Sequence, residues 1–249
     1  MSQSVARALQ LLIHLGSGPA NLDELAELTG VHKTTVLRLL RTLSDERFAF
    51  RDHSNRYHIG SRIFELAAQG ADQREIRQIA SPHLVAFNRK FGRTTHLAAM
   101  EGDEIVYIDK LESHDQIRMF SRIGLQAYMN STAVAKVILA DLPDAELTRM
   151  VATMDFSPRA VNTITTPEKY LREIEVVRAQ GWAKDREENE PSINCIAVPV
   201  WGASGRVVAS VSVSVPEVVL PFEQLLELLE PVQDVGKRIS RDCGYQPPS

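Results

Sequence analysis

The sequence has little of what marks secreted, membrane-spanning or metal-dependent proteins. It has only two cysteines in 249 residues, Cys195 and Cys243, so we expect neither a disulfide framework nor a cysteine metal cluster. Its apolar runs are far shorter than the roughly 20 residues needed to cross a bilayer. The first residues lack the small-residue cleavage site of a secretory signal. We therefore expect a cytoplasmic protein with reduced thiols.

Metal-site spacings, internal repeats and low-complexity segments are also missing. None of the seven histidines belongs to an HExxH motif, and the cysteines form no CxxC pair. We therefore expect no metal and no cofactor. The composition, 44% hydrophobic and 24% charged, is typical of a globular protein, and the length suits two domains.

The net charge of −4 argues against a nucleic-acid partner until its distribution is considered. Residues 1–60 carry seven lysines and arginines against six acids, a balance of +1, which leaves −5 for residues 61–249. Between Val31 and Leu43 there are three cations and no anion. A local basic stripe on an acidic protein is typical of a chain in which one element contacts DNA.

Residues 1–60 predict a winged helix-turn-helix DNA-binding domain. A first amphipathic helix, with apolar positions from Val5 onward, ends at "GSGP", and a second runs from its cap at Asn21 to Gly30. "HKTTVLRLLRTL" follows at once as a third helix, so the two must meet at a sharp angle. Two short strands, 48–51 and 56–59, joined by "DHSN", then predict a wing.

The third helix carries the candidate DNA-reading residues. The face opposite its apolar stripe carries short hydroxyl side chains near the N-terminus of the helix and an arginine one turn later. Small side chains allow close approach to the major groove of DNA, and arginine can reach guanine edges or phosphates. A solvated face of a small helical bundle is the alternative. Basic residues of the wing would contact the phosphate backbone. The candidates are Lys33, Thr34, Thr35, Arg38 and Arg41 on the helix, and Arg51 and Arg56 on the wing.

Residues 61–73 predict a linker helix whose apolar stripe could self-associate, and residues 74–249 predict an α+β domain. In that domain a helix broken near "SPHL" precedes the strands "TTHLAAM", "EIVYIDKLE" and "IRMFSRI". Three helices follow, then the strands "WAKDRE", "NCIAVPVWG" and "RVVASVSVSV". The closing helix should be kinked or divided at Pro231.

The strand "VVASVSVSV" alternates hydroxyl and β-branched side chains. This period of two places Ser210, Ser212 and Ser214 on one face and valines on the other. The serine face could contact water, as the polar face of a half-buried strand normally does. It could also contact a small polar ligand, and the alternation alone leaves both possibilities open.

Several stretches, in order and spacing, resemble the IclR family of bacterial transcriptional regulators. They are "SVARALQLL", "LAELTGVHKTTVLRLLRTL", "YHIGSRIFELA", "EGDEIVYIDKLES", "SRIG", "STAVAKVILA", "GWAKDREENEPSINCIAVPV" and "GRVVASVSVSVP", and together they span Val5 to Gly244. The resemblance implies an N-terminal winged helix-turn-helix that binds a near-palindromic operator as a dimer or a dimer of dimers. It also implies a GAF/profilin-like C-terminal domain, joined by a linker helix, that binds small organic acids.

The family's effector pocket, carried over residue by residue, would turn the serine face toward a ligand. It maps to Met119, Ala133, Val134, Asp185, Ile193, Cys195, Ser212 and Ser214. Val134 and Ala135 stand where family members usually have Leu-Gly or a similar pair, and we expect them to add bulk beside backbone amides that would otherwise hold the acid. "QAYMN" before Ser131 also departs from the common Pro-Leu-His type of pattern. These departures predict a ligand unlike glyoxylate or pyruvate. "IRMFSRIG", "EENE" and "CIAVPV" most resemble the subgroup that represses 2-keto-3-deoxygluconate and related sugar-acid catabolism.

We therefore predict a DNA-binding transcriptional regulator, a repressor rather than an activator, controlled by an organic acid. Two other classes of function compete with this prediction. In an enzyme, Cys195 would be the nucleophile, but it lies in an apolar strand with no histidine near it in sequence. A ligand sensor acting on a protein partner without DNA is compatible with the same helix pattern, and the salt dependence of DNA binding separates it from a regulator.

Overall fold

The structure, a computed structural model, describes residues 3–72, 75–115, 117 and 119–246, with the backbone only for 67–72. The chain divides into two compact units, Met1–Arg74 and Glu75–Ser249. Among the described helices, none is both long and apolar enough to cross a membrane.

The first unit is a three-helix bundle with a two-stranded wing and a trailing helix. Its elements are α1 (Gln3–Ser17), α2 (Leu22–Thr29), α3 (Lys33–Asp45), β1 (Ala49–Arg51), β2 (Tyr57–Ile59) and α4 (Ser61–Asp72). The strands pair antiparallel, as predicted for a wing. The buried apolar core consists of Leu11, Leu15, Ala20, Leu25, Val36, Leu40, Ala49 and Tyr57.

The turn between α2 and α3 is set by caps at both ends of α2. The Asn21 side chain accepts hydrogen bonds from the backbone N–H groups of Asp23 and Glu24, and the Glu24 carboxylate accepts one from the Asn21 N–H. Gly30 then ends the helix in the left-handed conformation, at φ of 62°. These local contacts fix the direction in which α3 leaves the turn.

Helix α1 packs with a different face from the one its apolar pattern suggested. Leu11 and Leu15 are buried, whereas Val5, Leu9 and Ile13 are 59%, 55% and 71% exposed. The helix also continues through Gly16 to Ser17, past its expected end. A second apolar stripe is therefore left uncovered on this unit, at positions i, i+4 and i+8.

The start of α4 lies very close to the turn that follows α3. The Arg62 N–H donates to the Arg47 carbonyl over 3.0 Å, and the Gly60 N–H donates to the Phe48 carbonyl over 2.8 Å. A Cβ atom at Gly60 would lie 2.1 Å from the Arg47 carbonyl oxygen. The side chains of Arg47 and Glu65 add an ion pair of 2.9 Å. Only glycine allows this approach of the two backbones.

The second unit is a five-stranded antiparallel sheet covered by helices on both faces. The strands lie in the order β4-β3-β7-β6-β5. The elements are α5 (Glu75–Phe91), β3 (Thr94–Glu101), β4 (Glu104–Leu111), α6 (Ala133–Ala140), α7 (Asp144–Thr153), α8 (Pro167–Gln180), β5 (Ala183–Arg186), β6 (Ile193–Trp201), β7 (Val207–Pro216), α9 (Phe222–Leu225) and α10 (Leu229–Asp242).

Strand β7 lies in the middle of the sheet, and from Ala209 to Pro216 neither of its faces contacts water. Val211, Val213 and Val215 belong to a core that includes residues of α5 and α10, and each is at most 1% exposed. Ser212 and Ser214 on the other face are only 3% exposed. The serines therefore have to satisfy their hydrogen bonds inside the protein.

Three sequence predictions about this unit were wrong in detail. Residues 117 and 119–123 form no strand, and Arg118 lies outside the described residues. In this segment the Met119 and Ser121 carbonyls accept hydrogen bonds from Lys110 Nζ. Helix α5 runs unbroken through Pro82. The burial of its apolar face stabilises the helix by more than the one backbone hydrogen bond that proline removes. The closing helix divides at 226–228, ahead of Pro231, which lies in the first turn of α10, where a missing N–H costs no helical bond.

The contact at Gly60 generates a stability prediction. Gly60→Ala should lower the free energy of unfolding of the first unit by about 3 kcal/mol, because the new methyl group overlaps a backbone carbonyl that cannot move aside. Hydrogen exchange of the β1 and β2 amides measures this opening energy. Gly16→Ala is the control: no atom lies within 4 Å of its new Cβ, so the helix should gain about 1 kcal/mol. Equal exchange in the two variants would contradict the close approach.

Candidate functional site

A small cavity of about 30 Å³ lies on the serine face of the sheet. Its walls come from β3, β4, β5, β6, β7, the start of α6 and the segments before α6 and after β5. The eight residues proposed from the sequence all line it: Met119, Ala133, Val134, Asp185, Ile193, Cys195, Ser212 and Ser214. The fold therefore brings together positions that are up to 95 residues apart in the chain.

His96, which the sequence analysis did not select, forms part of the cavity wall beside the two serines. It lies opposite Ser212 in the pairing of β3 with β7. Its Nε2 is 2.7 Å from Ser121 Oγ, and its Nδ1 is 3.4 Å from both Ser212 Oγ and Ser214 Oγ. Burial, and secondarily the Lys110 ammonium, lower the pKa of His96 to about 3. The ring is therefore neutral at pH 7 and offers one donor and one acceptor.

Asp185 forms the opposite, acidic part of the wall and is 2% exposed. Its Oδ1 accepts hydrogen bonds from the Glu188 N–H over 2.8 Å and the Asn189 N–H over 3.2 Å. Burial raises the pKa of Asp185 to about 6, although the Lys136 ammonium and the two N–H groups oppose the shift. A buried carboxyl group with a pKa this close to neutrality is typical of functional sites.

Lys136 holds the acidic side of the cavity in place from behind. Its side chain is fully buried, and Nζ lies 2.7 Å from both carboxylate oxygens of Glu188 and 2.9 Å from the Lys184 carbonyl. Burial raises the pKa of Glu188, and the Lys136 charge opposes this change. The ion pair joins α6 to the turn after β5, and this turn binds the carboxyl group of Asp185 on β5.

The first turn of α6 presents backbone donors at the cavity. Ala133 and Val134 line it, and the preceding Thr132 does not cap the helix, because its hydroxyl donates to the Tyr128 carbonyl over 2.7 Å. N–H groups at a helix start attract anions. Ala135, which we expected to add bulk beside these amides, is instead buried in the hydrophobic core between the sheet and the helices.

Five further lining residues were missed by sequence reasoning: Tyr107, Ser121, Thr132, Asn189 and Glu190. Neither the type of these five residues nor their spacing in the sequence marks them as members of one site. The alternation of β3 could have indicated His96, because "TTHLAAM" places it on the same face as Thr94 and Ala98. The antiparallel register of β3 with β7 places His96 beside Ser212. The other five lie on β4 and in the segments before α6 and after β5, and no local pattern indicates that the fold brings them to the cavity.

A second cleft of about 260 Å³ adjoins the cavity. It shares five lining residues with the cavity: Tyr107, Ser121, Thr132, Asn189 and Glu190. Its further lining includes Phe120 and Tyr128, which are 81% and 47% exposed. The adjoining cleft could hold the remainder of a ligand whose polar head occupies the cavity.

Cys195 has the environment of a packed residue rather than of a nucleophile. Burial and the neighbouring Asp185 raise the pKa of its thiol well above the ordinary value. Reactive cysteines need the opposite shift, because the thiolate is the nucleophile.

On α3 of the first unit, the residues predicted to read DNA form one outer surface. Lys33, Thr34, Arg38 and Arg41 are exposed, and Thr35 is half-buried. Lys33 makes an ion pair of 2.7 Å with Asp23, and both side chains are largely exposed, so the pair is weak. Leu37, 40% exposed on the same surface, was not selected from the sequence.

The two wing arginines are placed differently from one another. Arg51 is exposed, with its guanidinium 5.8 Å from the centre of the Tyr57 ring. Arg56 instead binds the Glu24 carboxylate over 3.1 Å and the Pro19 carbonyl over 2.5 Å, which ties the wing to α2. Its guanidinium is therefore less available to a phosphate than the sequence suggested.

The pKa of Asp185 generates a pH-dependent stability prediction. Because the folded-state pKa of about 6 lies above the ordinary aspartate value of 3.8, stability is lost as the pH rises through this window. Asp185→Asn cannot ionise, so it should be more stable than the wild type by about 3 kcal/mol at pH 7.5 and by about 1 kcal/mol at pH 4.5. Both tryptophans, Trp182 and Trp201, lie in the second unit, so their fluorescence follows its unfolding in urea.

The control for this experiment is Glu146→Gln, a change on the exposed surface of α7 that should give the same difference from the wild type at both pH values. An Asp185→Asn effect that does not change with pH would show that ionisation of this carboxyl group does not destabilise the fold.

Two family models match the chain. The IclR helix-turn-helix domain matches residues 4–53, and the bacterial transcriptional regulator IclR C-terminal domain matches residues 68–241. The HTH-type transcriptional regulator XynR of Escherichia coli is 33% identical over 246 residues, which cover 98% of each chain. The regulator KdgR of Escherichia coli is 32% identical over 244 residues, covering 97% of this chain and 93% of KdgR.

Solved structures show the same fold. The IclR structure from Thermotoga maritima superposes with a TM-score of 0.85 at 33% identity, covering 98% of this chain and 100% of that one. An IclR homologue from Microbacterium hydrocarbonoxydans, solved with 4-hydroxybenzoate, gives a TM-score of 0.84 at 18% identity, covering 97% and 99%. The winged helix-turn-helix and the α+β effector domain predicted from the sequence are thereby confirmed. The chain belongs to the IclR family of bacterial transcriptional regulators.

Proposed function

We propose that this DNA-binding regulator is a cytoplasmic repressor of a catabolic operon, released from its operator when an organic acid occupies the cavity beside β7. The observation that carries the proposal is the buried wall formed by Ser212, Ser214, His96 and Asp185 next to the uncapped start of α6. A buried polar group lowers the stability of the protein unless it has a hydrogen-bond partner. Several such groups converge on this cavity, where a small polar ligand can bind them.

A 2-keto sugar acid suits the two spaces together. Its carboxylate and keto group would lie in the 30 Å³ cavity, where hydroxyl groups and helix N–H groups can donate to them. Its hydroxylated chain would extend into the adjoining 260 Å³ cleft toward Asn189 and Glu190. The regulators KdgR and XynR are similar over nearly the whole chain, which supports the regulator role on which this ligand proposal depends.

On the DNA side, α3 would lie in the major groove with Arg38 and Arg41 toward bases and phosphates. The short Thr34 and Thr35 allow close approach, and the exposed Leu37 could contact a thymine methyl group. Arg51 on the wing would contact the backbone. Lys33 can exchange its weak pair with Asp23 for a phosphate, whereas Arg56 would act mainly by holding the wing.

A second copy of the chain would cover the exposed stripe Val5, Leu9 and Ile13 on α1. Phe64 on α4 is also 68% exposed, so the first unit carries apolar surface on two helices. A two-fold dimer would present two α3 helices to half-sites about 34 to 36 Å apart, or a multiple of that spacing. An effector coupling of about 1 to 3 kcal/mol would change operator affinity roughly 5- to 150-fold.

The DNA-reading proposal predicts a loss of affinity and specificity in Arg38→Ala. The wild-type protein first selects its operator from a randomised duplex library; two inverted half-sites are expected. On that operator, Arg38→Ala should bind about 5- to 150-fold more weakly, because a bidentate arginine–guanine contact contributes about 1 to 3 kcal/mol. The loss on scrambled DNA should be smaller.

Two variants control this measurement. Arg172→Ala removes an exposed arginine on α8 of the second unit and should leave affinity unchanged. Arg38→Lys keeps the charge but not the planar fork, so it should fail to restore specificity. Equal losses on operator and scrambled DNA would assign Arg38 to a phosphate. Failure to enrich any sequence, with binding insensitive to salt, would favour a sensor that acts on a protein partner.

The effector proposal predicts a ligand-dependent rise in melting temperature. The acids tested are 2-keto-3-deoxygluconate, pyruvate and 4-hydroxybenzoate. Thermal unfolding with each acid is monitored by tryptophan fluorescence. An acid at 100 times its Kd should stabilise the second unit by about 2.7 kcal/mol. Ser212→Ala should weaken binding about 10-fold or more, since a hydrogen bond to a charged group contributes about 1.5 to 3 kcal/mol.

Ser210→Ala is the matched control. Ser210 lies on the same face of β7 and is equally buried, but its hydroxyl donates to the Val198 carbonyl and is not part of the cavity wall. It should leave ligand affinity unchanged. A shift that Ser212→Ala and Ser210→Ala reduce equally would place the ligand elsewhere.

A further inference from the structure

The cavity is acidic, which is unexpected in a site proposed to bind an acid. Two carboxyl groups, Asp185 and Glu190, line it, and among the described lining residues there is no lysine or arginine. Glu190 is half-buried and also faces the adjoining cleft, whereas Asp185 is almost completely buried. A ligand carboxylate that enters this space therefore meets the Asp185 charge where little water remains to screen it.

The charged and titratable groups around Asp185 do not remove this repulsion. Lys136 lies behind it on α6, but its ammonium is held by both Glu188 oxygens at 2.7 Å and lies 3.5 Å from Glu173. On the cavity side Asp185 meets Cys195 and Tyr107, whose pKa values are both raised by burial, so both are neutral. Lys110 lies on the His96 side, where it binds Glu112 and two carbonyls.

Two groups of the wall can neutralise the site by taking a proton from solvent: the imidazole of His96, to form a cation, and the carboxylate of Asp185. Burial lowers the pKa of His96 to about 3 and raises the pKa of Asp185 to about 6, so at pH 7 the Asp185 carboxylate takes up a proton more readily than the imidazole. Both ring nitrogens of His96 also lie within 3.4 Å of serine hydroxyls with which the neutral ring can exchange hydrogen bonds.

We propose that the cavity takes up an organic acid together with one proton, and that Asp185 carries this proton while His96 stays neutral. The proton binds an Asp185 carboxylate oxygen, so the complex gains no net charge from the ligand. Asp185 changes from an acceptor that repels the ligand into a donor that can bind its carboxylate. This inference rests on the proposed function, because it assigns the charge state in which the same cavity binds its effector.

A proton-linked site has a defined pH dependence. Above the pKa of Asp185 in the ligand-free protein, each unit of pH should weaken acid binding about 10-fold. This dependence ends at the higher pKa that Asp185 has in the complex. Between pH 6.5 and 8.0 the Kd should therefore rise about 20-fold. A site that binds the anion through fixed donors alone would show no such rise, since the proposed ligands remain ionised throughout this range.

The test is isothermal titration calorimetry of the full-length protein with 2-keto-3-deoxygluconate. It is carried out at pH 7.5 in phosphate and in Tris, two buffers with different ionisation enthalpies, so that the difference in heat counts protons. The wild type should take up about one proton per ligand. Asp185→Asn should take up none and bind with a Kd that does not change with pH. His96→Asn and Glu190→Gln should still take up one proton.

The outcomes separate this inference from the proposed function on which it rests. Binding without proton uptake by the wild type overturns the inference and leaves the effector proposal standing. Uptake that persists in Asp185→Asn and disappears in His96→Asn assigns the proton to the imidazole and also overturns it. If 2-keto-3-deoxygluconate does not bind, pyruvate and 4-hydroxybenzoate are titrated in the same way. If none of the three binds, the proposed acid effector itself is contradicted.

Discussion

The ammonium group of Lys136 is shielded from water, and the polar side of the effector unit is arranged around its charge. An unpaired buried charge would cost several kcal/mol, so Glu188 and the Lys184 carbonyl must stay where they are. This requirement fixes the turn after β5, whose N–H groups in turn hold the Asp185 carboxyl group. Two walls of the cavity, the start of α6 and the end of β5, are thus set by one ion pair.

The central position of β7 imposes a second constraint on the same site. A strand with helices on both faces normally reads as a continuous apolar run. Here one face is serine, and its hydroxyls are small enough to leave a space that larger side chains would fill. Ser210 uses the Val198 carbonyl, while Ser212 and Ser214 share His96 with each other. These two hydroxyls lie 3.4 Å from the same imidazole nitrogen, and all three groups line the cavity.

The sequence predicts the elements of this protein better than it predicts the contacts between them. Capping at Asn21, the Gly30 turn and the alternation of β7 are local signals, and the structure follows them. The strand predicted for 117–123 failed because Lys110, a residue on a different element, takes up the carbonyls of Met119 and Ser121. No local pattern predicts that His96 and Glu190 line the cavity, for a related reason. The position of His96 depends on the register of β3 with β7, and that of Glu190 depends on the turn held by the Lys136–Glu188 ion pair.

The arrangement of charge on the first unit shows why counting cations overstates the DNA-binding surface. Of the seven lysines and arginines in residues 1–60, Lys33, Arg47 and Arg56 make ion pairs within the unit. Arg47 and Arg56 join α4 and the wing to the rest of the unit, so they shape the surface that meets DNA more than they add charge to it. Non-specific affinity depends on the number of phosphates neutralised, and few free cations on an acidic chain make that contribution small. In the proposed complex, discrimination would then depend on the fit of α3 to the groove. The Asn21 and Gly30 caps of α2 set the direction of α3.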